Sequence, residues 1–200
     1  MISEQFFNKW IWSLLLIIPI FGLTFDEPYY ITLATKVIIL GIAGVGLNLA
    51  LGYCGLISFG HAAFFGIGGY VTAIMSYHAI NDEILFSWPF DIFGSSEMLI
   101  IWPLAILISA FLSLIIGLLS LRTSGVYFIM ITLAFAQMLY FFSISWPNYG
   151  GEDGLSIYMR NSLPMLNTMN PLTFYLICLF WLLTSIYISY KLINSPFGMA

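Results

Sequence analysis

The stretch LNLALGYCGLISFGHAAFFGIGGYVTAIM, residues 47–75, is apolar enough for lipid, yet it is rich in glycine and carries an asparagine, a serine and a histidine. Helices in lipid gain little from hiding apolar surface, so they associate where small side chains let two backbones approach closely. Small residues recur here at the spacing of one helix face: Ser58, Ala62, Gly66, Gly69 and Ala73. This spacing predicts that the face contacts another helix.

Two glycines, Gly52 and Gly55, interrupt the helical pattern in the middle of the stretch. Each costs a helix about 1 kcal/mol relative to alanine. Irregular backbone at membrane depth is tolerated only where protein or a water-filled cavity surrounds it. Residues 52–60 are therefore either a tight turn on the cytoplasmic side of a packed hairpin, or a broken, partly re-entrant element that lines a path.

The composition of the whole chain places it in a lipid bilayer. Of 200 residues, 61% are hydrophobic and 7% are charged, and the mean hydropathy is +1.00. Soluble domains contain about one quarter charged residues. The net charge of -4 and the lack of a basic run argue against nucleic acid as a partner. We therefore expect an integral membrane protein.

Apolar runs of roughly 20 residues, the length that crosses a bilayer, predict an all-α polytopic transmembrane helical bundle. About six spans are expected within a single domain, 1–200, at 10–25, 30–51, 57–80, 98–121, 126–146 and 172–193, with 81–97 as a loop. With both termini cytoplasmic, Lys9, Arg122 and Lys191 fall inside and Arg160 falls outside. That distribution follows the positive-inside rule.

Polar residues within or beside the spans are the candidates for a translocation path or for helix contacts. Uncharged polar groups can bond across helices or line a pathway. The candidates are Asn48, Ser58, His61, Gly66, Gly69, Thr132 and Gln137. For His61, a hydrogen bond to a neighbouring helix is the structural alternative.

Neither a metal site nor a disulfide is predicted. His61 lies near the start of the predicted span 57–80 and His78 near its other end, and no acid or cysteine stands at ligand spacing from either histidine. The predicted topology places Cys54 and Cys178 toward opposite sides of the bilayer, so both are expected to pack as small apolar residues.

Three blocks of the sequence resemble one family. Residues 47–73 are similar to the signature stretch of the branched-chain amino acid ABC importer permeases, which include urea and short-amide permeases. LRTSGVYFIMITLAFAQMLYF with GGEDGL, within 121–155, and SPFG, 195–198, are similar to later blocks of that family. The resemblance implies the methionine-type (second) permease subunit of a leucine, isoleucine and valine importer, with urea or short amides as alternative substrates.

The same resemblance implies partners and a location. The partners are a second homologous permease subunit, two cytoplasmic ATPase subunits and a periplasmic substrate-binding protein, assembled in the bacterial inner (plasma) membrane. In this family an arginine-rich cytoplasmic segment follows the SPFG block, whereas Met199 and Ala200 stand there in this sequence. The sequence is therefore expected to be truncated at its C-terminus.

No catalytic chemistry is predicted for the chain itself. It contains no phosphate-cradling G-x-x-x-x-G-K-[S/T] motif, and no catalytic triad or carboxylate pair can be assembled within the spans. We expect no enzyme activity, no cofactor and no catalytic residue, with ATP hydrolysis left to separate subunits. A membrane-embedded enzyme is one rival class, but it would need a cluster of ionisable residues, and apart from Lys36 and His61 the spans have none. A passive channel or secondary transporter is the second rival, but all nine acids lie outside the spans, whereas secondary transporters usually carry intramembrane acids.

Overall fold

A computed structural model describes residues 15, 17–19, 22, 27–86, 92–157, 159–196 and 198. Most of the predicted span 10–25 lies outside the described residues, although 15, 17–19 and 22 are helical. The span itself stays a prediction.

Five helices of the described residues are long and apolar enough to cross a membrane. They are α1 (Pro28–Asn48), α2 (His61–Ile80), α3 (Met98–Ser120), α4 (Val126–Ile144) and α5 (Pro171–Ile193). The predicted all-α polytopic bundle is confirmed. The loop predicted at 81–97 contains a short antiparallel hairpin, β1 (Ile84–Phe86) and β2 (Ile92–Phe93).

Most helix ends lie within two residues of their predicted positions, and local chemistry explains them. Pro171 occupies the first turn of α5, where its missing N–H costs nothing, and the Asn170 side chain accepts a hydrogen bond from the Leu172 N–H at 3.0 Å. The fifth predicted span, 126–146, ends early, at Ile144. The reason is Pro147, which disfavours helical backbone at the preceding residue; Trp146 is extended, with φ -104° and ψ 88°.

The largest difference between the predicted and the observed helix bounds is at the start of the third predicted span, 57–80. The helix begins at His61, because residues 54–60 are not helical. Gly55 adopts a left-handed φ of 64°, and the Ser58 hydroxyl oxygen accepts a hydrogen bond from the Gly60 N–H at 3.2 Å. Such local bonds compete with the helix for the backbone donors.

Contacts group the chain into two compact units, and the prediction of a single domain stays a prediction. The first unit comprises Met1–Leu49 and Asn167–Ala200. In it α1 and α5 pack through a buried cluster at helical spacing: Ile31, Ala34, Ile38, Tyr175, Cys178 and Leu182. The packing role predicted for Cys178 is confirmed. The Tyr175 hydroxyl, 1% exposed, donates to the backbone carbonyl of Leu15.

The second unit comprises Ala50–Leu166. In it α2 packs along α3, and α4 contacts both helices. The buried side of α2 consists of Ala73, Met75, Ser76 and His78. Cys54 belongs to this unit and is exposed. The packing role predicted for Cys54 is therefore wrong within this chain, because residue 54 lies in the irregular segment that precedes α2.

Gly94 lets the hairpin approach the end of α2. A Cβ at this position would lie 2.6 Å from the His78 carbonyl carbon and 2.7 Å from the His78 Cβ. We expect Gly94→Ala to lower the free energy of unfolding by about 1 kcal/mol, because the hairpin must shift away from α2. Denaturant titration in mixed micelles measures the change. Gly117→Ala, where a Cβ meets open space, is the control; equal stabilities of the two variants would contradict the expectation.

Candidate functional site

The connection between α1 and α2 is an irregular element. A π-helical turn, Leu49–Tyr53, continues α1, and the Leu56 N–H then donates to the Ala50 carbonyl at 3.0 Å. Residues 54–60 follow without helical structure. The connection is thus a widened helix end followed by an irregular segment, and π turns occur frequently at functional sites.

This irregular segment packs against the middle of α4. Gly60 is buried, and a Cβ built on it would lie 3.0 Å from the Thr132 carbonyl oxygen and 3.5 Å from the Ser58 Oγ. Thr132 is 4% exposed, and its hydroxyl donates to the Ile129 carbonyl at 3.0 Å. Gly60 therefore lies close to two of the predicted site residues, Ser58 and Thr132.

A cavity of about 230 Å³ lies beside this contact. Residues 55–57 form one wall, and Leu121, residues 123–125, Phe128 and Ile129 form the other. Gly125, with φ 62° and ψ -131°, lets the chain enter α4 directly from the short turn after α3. Within the predicted topology this cavity opens at the cytoplasmic end of the second unit.

The small-residue face predicted on α2 is only partly present as one surface: Ala73, at one end, is buried within the unit, and Ser58, at the other end, lies outside the helix. Ser58 precedes the helix and does not belong to this face, because the helix begins only at His61. Ala62, Gly66 and Gly69 are exposed, and a Cβ on either glycine meets nothing within 4 Å. The opposite side of α2 packs inside the unit, where a Cβ on Gly68 would lie 3.6 Å from the Ser109 Oγ. Contact of the exposed face with another helix stays a prediction.

The remaining polar residues of the predicted site lie on three different helices. His61 is the first residue of α2 and is half-buried. Gln137 is exposed on α4, more than one turn beyond Thr132, and Asn48 is exposed at the end of α1 in the other unit. No group of three or more His, Cys, Asp or Glu residues that could hold a metal ion occurs among the described residues.

Sequence reasoning missed a second polar cluster at the opposite end of α2. Tyr70, Ser76 and His78 bond to residues of the segment that follows α4, namely Tyr149 and Asn161. The sequence indicates a polar side of this helix only through Tyr70 and Tyr77, two tyrosines seven residues apart. Their partners lie beyond α4, so the sequence did not reveal the pairing.

The outer faces of the helices define the class of protein. Large apolar side chains point outward along α3 and α4; Leu107 is 67% exposed, Phe111 65% and Leu118 62%. Apolar surface of this extent on helices of spanning length is suited to lipid. The chain is a multi-pass membrane protein.

Comparison with known families identifies the kind of membrane protein. A family model described as "Branched-chain amino acid transport system / permease component" matches residues 29–200. The chain belongs to this permease family, and the resemblance carried by the three sequence blocks is confirmed.

Two relatives illustrate the similarity. The high-affinity branched-chain amino acid transport system permease protein LivM of Salmonella typhimurium (strain LT2) is 28% identical over 127 residues, which are 63% of this chain and 26% of that protein. The protein of the same name from Escherichia coli (strain K12) is 27% identical over 127 residues, with the same shares. The match thus spans about a quarter of each relative's length. No solved structure matched the chain significantly.

Proposed function

We propose that this chain is one membrane subunit of an ATP-driven importer of branched-chain amino acids in the bacterial inner membrane. The observation that carries the proposal is the match of residues 29–200 to the permease family. The names of both relatives specify a high-affinity branched-chain amino acid transport system. The contact of the glycine-rich break with α4 supports it, because irregular backbone in a membrane protein persists where protein or water surrounds it.

The proposed assembly follows the resemblance. A soluble periplasmic protein delivers the substrate, which crosses between this chain and a second homologous permease. Two cytoplasmic ATPase subunits drive the change from outward to inward access. The permease itself carries out no covalent chemistry and holds no cofactor in this proposal.

Uptake of radiolabelled leucine tests the proposal. Vesicles would contain this chain, the homologous permease, the ATPase subunits and the binding protein, and the control would carry ATPase subunits inactivated in their phosphate-binding loop. Leucine is expected to accumulate only with ATP and active ATPases. Accumulation without ATP would favour the passive or secondary transporter, and ATP-dependent uptake of urea or a short amide alone would change the proposed substrate.

Gln137 offers a test at a single residue. It is an exposed amide on an apolar helix, and polar residues within a bilayer usually face a partner or a water path. We expect Gln137→Leu to lower the initial rate of leucine uptake about fivefold, the effect of losing one hydrogen bond. Met138→Leu, at the neighbouring exposed position of 58% exposure, is the control. Equal uptake rates in both variants would remove Gln137 from the proposed path and from any proposed interface.

A further inference from the structure

The second half of α2, from Tyr70 to His78, is tied to the segment after α4 by hydrogen bonds. The Tyr70 hydroxyl donates to the backbone carbonyl of Tyr149 at 3.1 Å. The Ser76 Oγ lies 2.7 Å from the Asn161 Oδ1 in a buried contact. Tyr149 therefore sits over α2 at the end of a short 3-10 turn, Pro147–Tyr149, that follows α4.

Tyr149 makes a second contact with α2 through its side chain. The His78 Nε2 lies 3.0 Å from the Tyr149 Oη. The His78 ring is buried, at 7% exposure, and its Nδ1 has no hydrogen-bond partner among the described residues. The Glu83 carboxylate approaches Nδ1, and its Oε2 lies 3.9 Å away on a largely exposed side chain.

The chemistry of these groups decides where a neutral His78 ring carries its proton. A carboxylate can only accept hydrogen bonds, and a neutral imidazole has one donor nitrogen and one acceptor nitrogen. A proton on Nδ1 points a donor at the Glu83 carboxylate, whereas a proton on Nε2 would turn a buried lone pair toward a negative charge. The Nε2 then accepts a hydrogen bond from the Tyr149 hydroxyl.

We infer that Tyr149 is a latch that holds the loop after α4 against α2, and that Glu83 is a positioning residue that favours the His78 tautomer in which the Tyr149 hydroxyl donates to Nε2. In the loop that follows Tyr149, Gly150, Gly151 and Gly154 all adopt left-handed φ values. Its own backbone bonds join residues only a few positions apart, such as the Gly154 N–H and the Gly150 carbonyl at 3.2 Å. Release of the latch frees a glycine-rich acidic turn at the predicted extracytoplasmic end of the second unit.

Nitrogen-15 spectra of the histidine-labelled protein in bilayers at alkaline pH test the tautomer without altering the latch. The chain has two histidines, so His61→Gln assigns the spectrum. The His78 Nε2 is expected to resonate as an unprotonated imidazole nitrogen and Nδ1 as a protonated one. Glu83→Ala is expected to shift the population toward the other tautomer, whereas Glu83→Gln, which keeps an acceptor oxygen, preserves it. A protonated Nε2 in the unaltered protein would overturn the inference.

Hydrogen exchange of the amides of residues 150–154 tests the latch itself. Tyr149→Phe removes one hydroxyl and leaves the backbone carbonyl that Tyr70 contacts. These amides are expected to exchange about fivefold faster in Tyr149→Phe, while the amides of α2 keep their rates. Tyr140→Phe, an exposed tyrosine on α4, is the matched control. Unchanged exchange of the loop in Tyr149→Phe would show that the hydroxyl does not hold it.

Discussion

Gly60→Val is expected to lower the free energy of unfolding by about 3 kcal/mol, because Gly60 is buried where the irregular segment meets α4. The backbone at this position, with φ -78° and ψ -8°, is open to any L residue, so the substitution tests space alone. Even the first added carbon would lie 3.0 Å from the Thr132 carbonyl oxygen and 3.4 Å from the Thr132 Cβ. The two methyl groups of valine have no room unless α2 and α4 separate.

Gly66→Val provides the matched control, since both glycines lie in the same region of the chain and a Cβ on Gly66 meets nothing within 4 Å. Unfolding midpoints in mixed detergent and dodecyl sulfate compare the two variants. Gly66→Val is expected to change stability by less than about 1 kcal/mol, the scale of intrinsic helix propensity. Equal losses in both variants would show that the close approach at Gly60 does not stabilise the second unit.

If the proposed function is correct, Gly60→Val and Gly66→Val also distinguish a loss of folding from a loss of assembly with the second permease. If the exposed face with Gly66 and Gly69 packs against the second permease, Gly66→Val leaves this chain folded and lowers its recovery with that subunit. Gly60→Val lowers the amount of folded chain, and the molecules that do fold bind the second permease as before. Copurification of the two permeases, measured at equal amounts of folded chain, distinguishes these outcomes.

The helices could be predicted from sequence because the bilayer admits few alternatives. Backbone polar groups in lipid must be satisfied within the segment, so a long apolar run is helical almost regardless of residue preferences. Helix ends that depend on one residue with a strong preference, such as the start of α5 at Pro171, are predicted to within one residue. The start of α2 was missed, because Gly55 and Ser58 replace helical bonds by local ones over residues 54–60.

The candidate site could be predicted only in part. Ser58 and Thr132 were both selected as polar residues of apolar stretches, yet nothing in their spacing indicated that α4 covers the irregular segment. The same limit applies to Tyr149 and His78, which come together because α2 and α4 share one unit. A single sequence reports periodicity along a helix, whereas the pairing of helices depends on packing between distant segments.

One long-range contact, that of Tyr175 with Leu15, does leave a signal in the sequence. Pro19 has no N–H, so the carbonyl of Leu15, four residues earlier, lacks its donor within the helix. An unsatisfied carbonyl in lipid costs several kcal/mol. The structure supplies the missing donor from another helix, the buried hydroxyl of Tyr175 on α5.

Tyr175→Phe is therefore expected to lower the free energy of unfolding by about 2 kcal/mol, because it leaves the Leu15 carbonyl without a partner. Pro19→Ala restores the amide that can serve this carbonyl, so in its presence Tyr175→Phe should cost less than about 1 kcal/mol. Unfolding midpoints of the four proteins give the coupling energy between the two positions. Tyr190→Phe, at 68% exposure on the same helix, controls for the loss of a tyrosine hydroxyl. An equal cost of Tyr175→Phe with proline or alanine at position 19 would mean that the hydroxyl does not replace the missing helix donor, and that the contact of α5 with the first predicted span depends on packing alone.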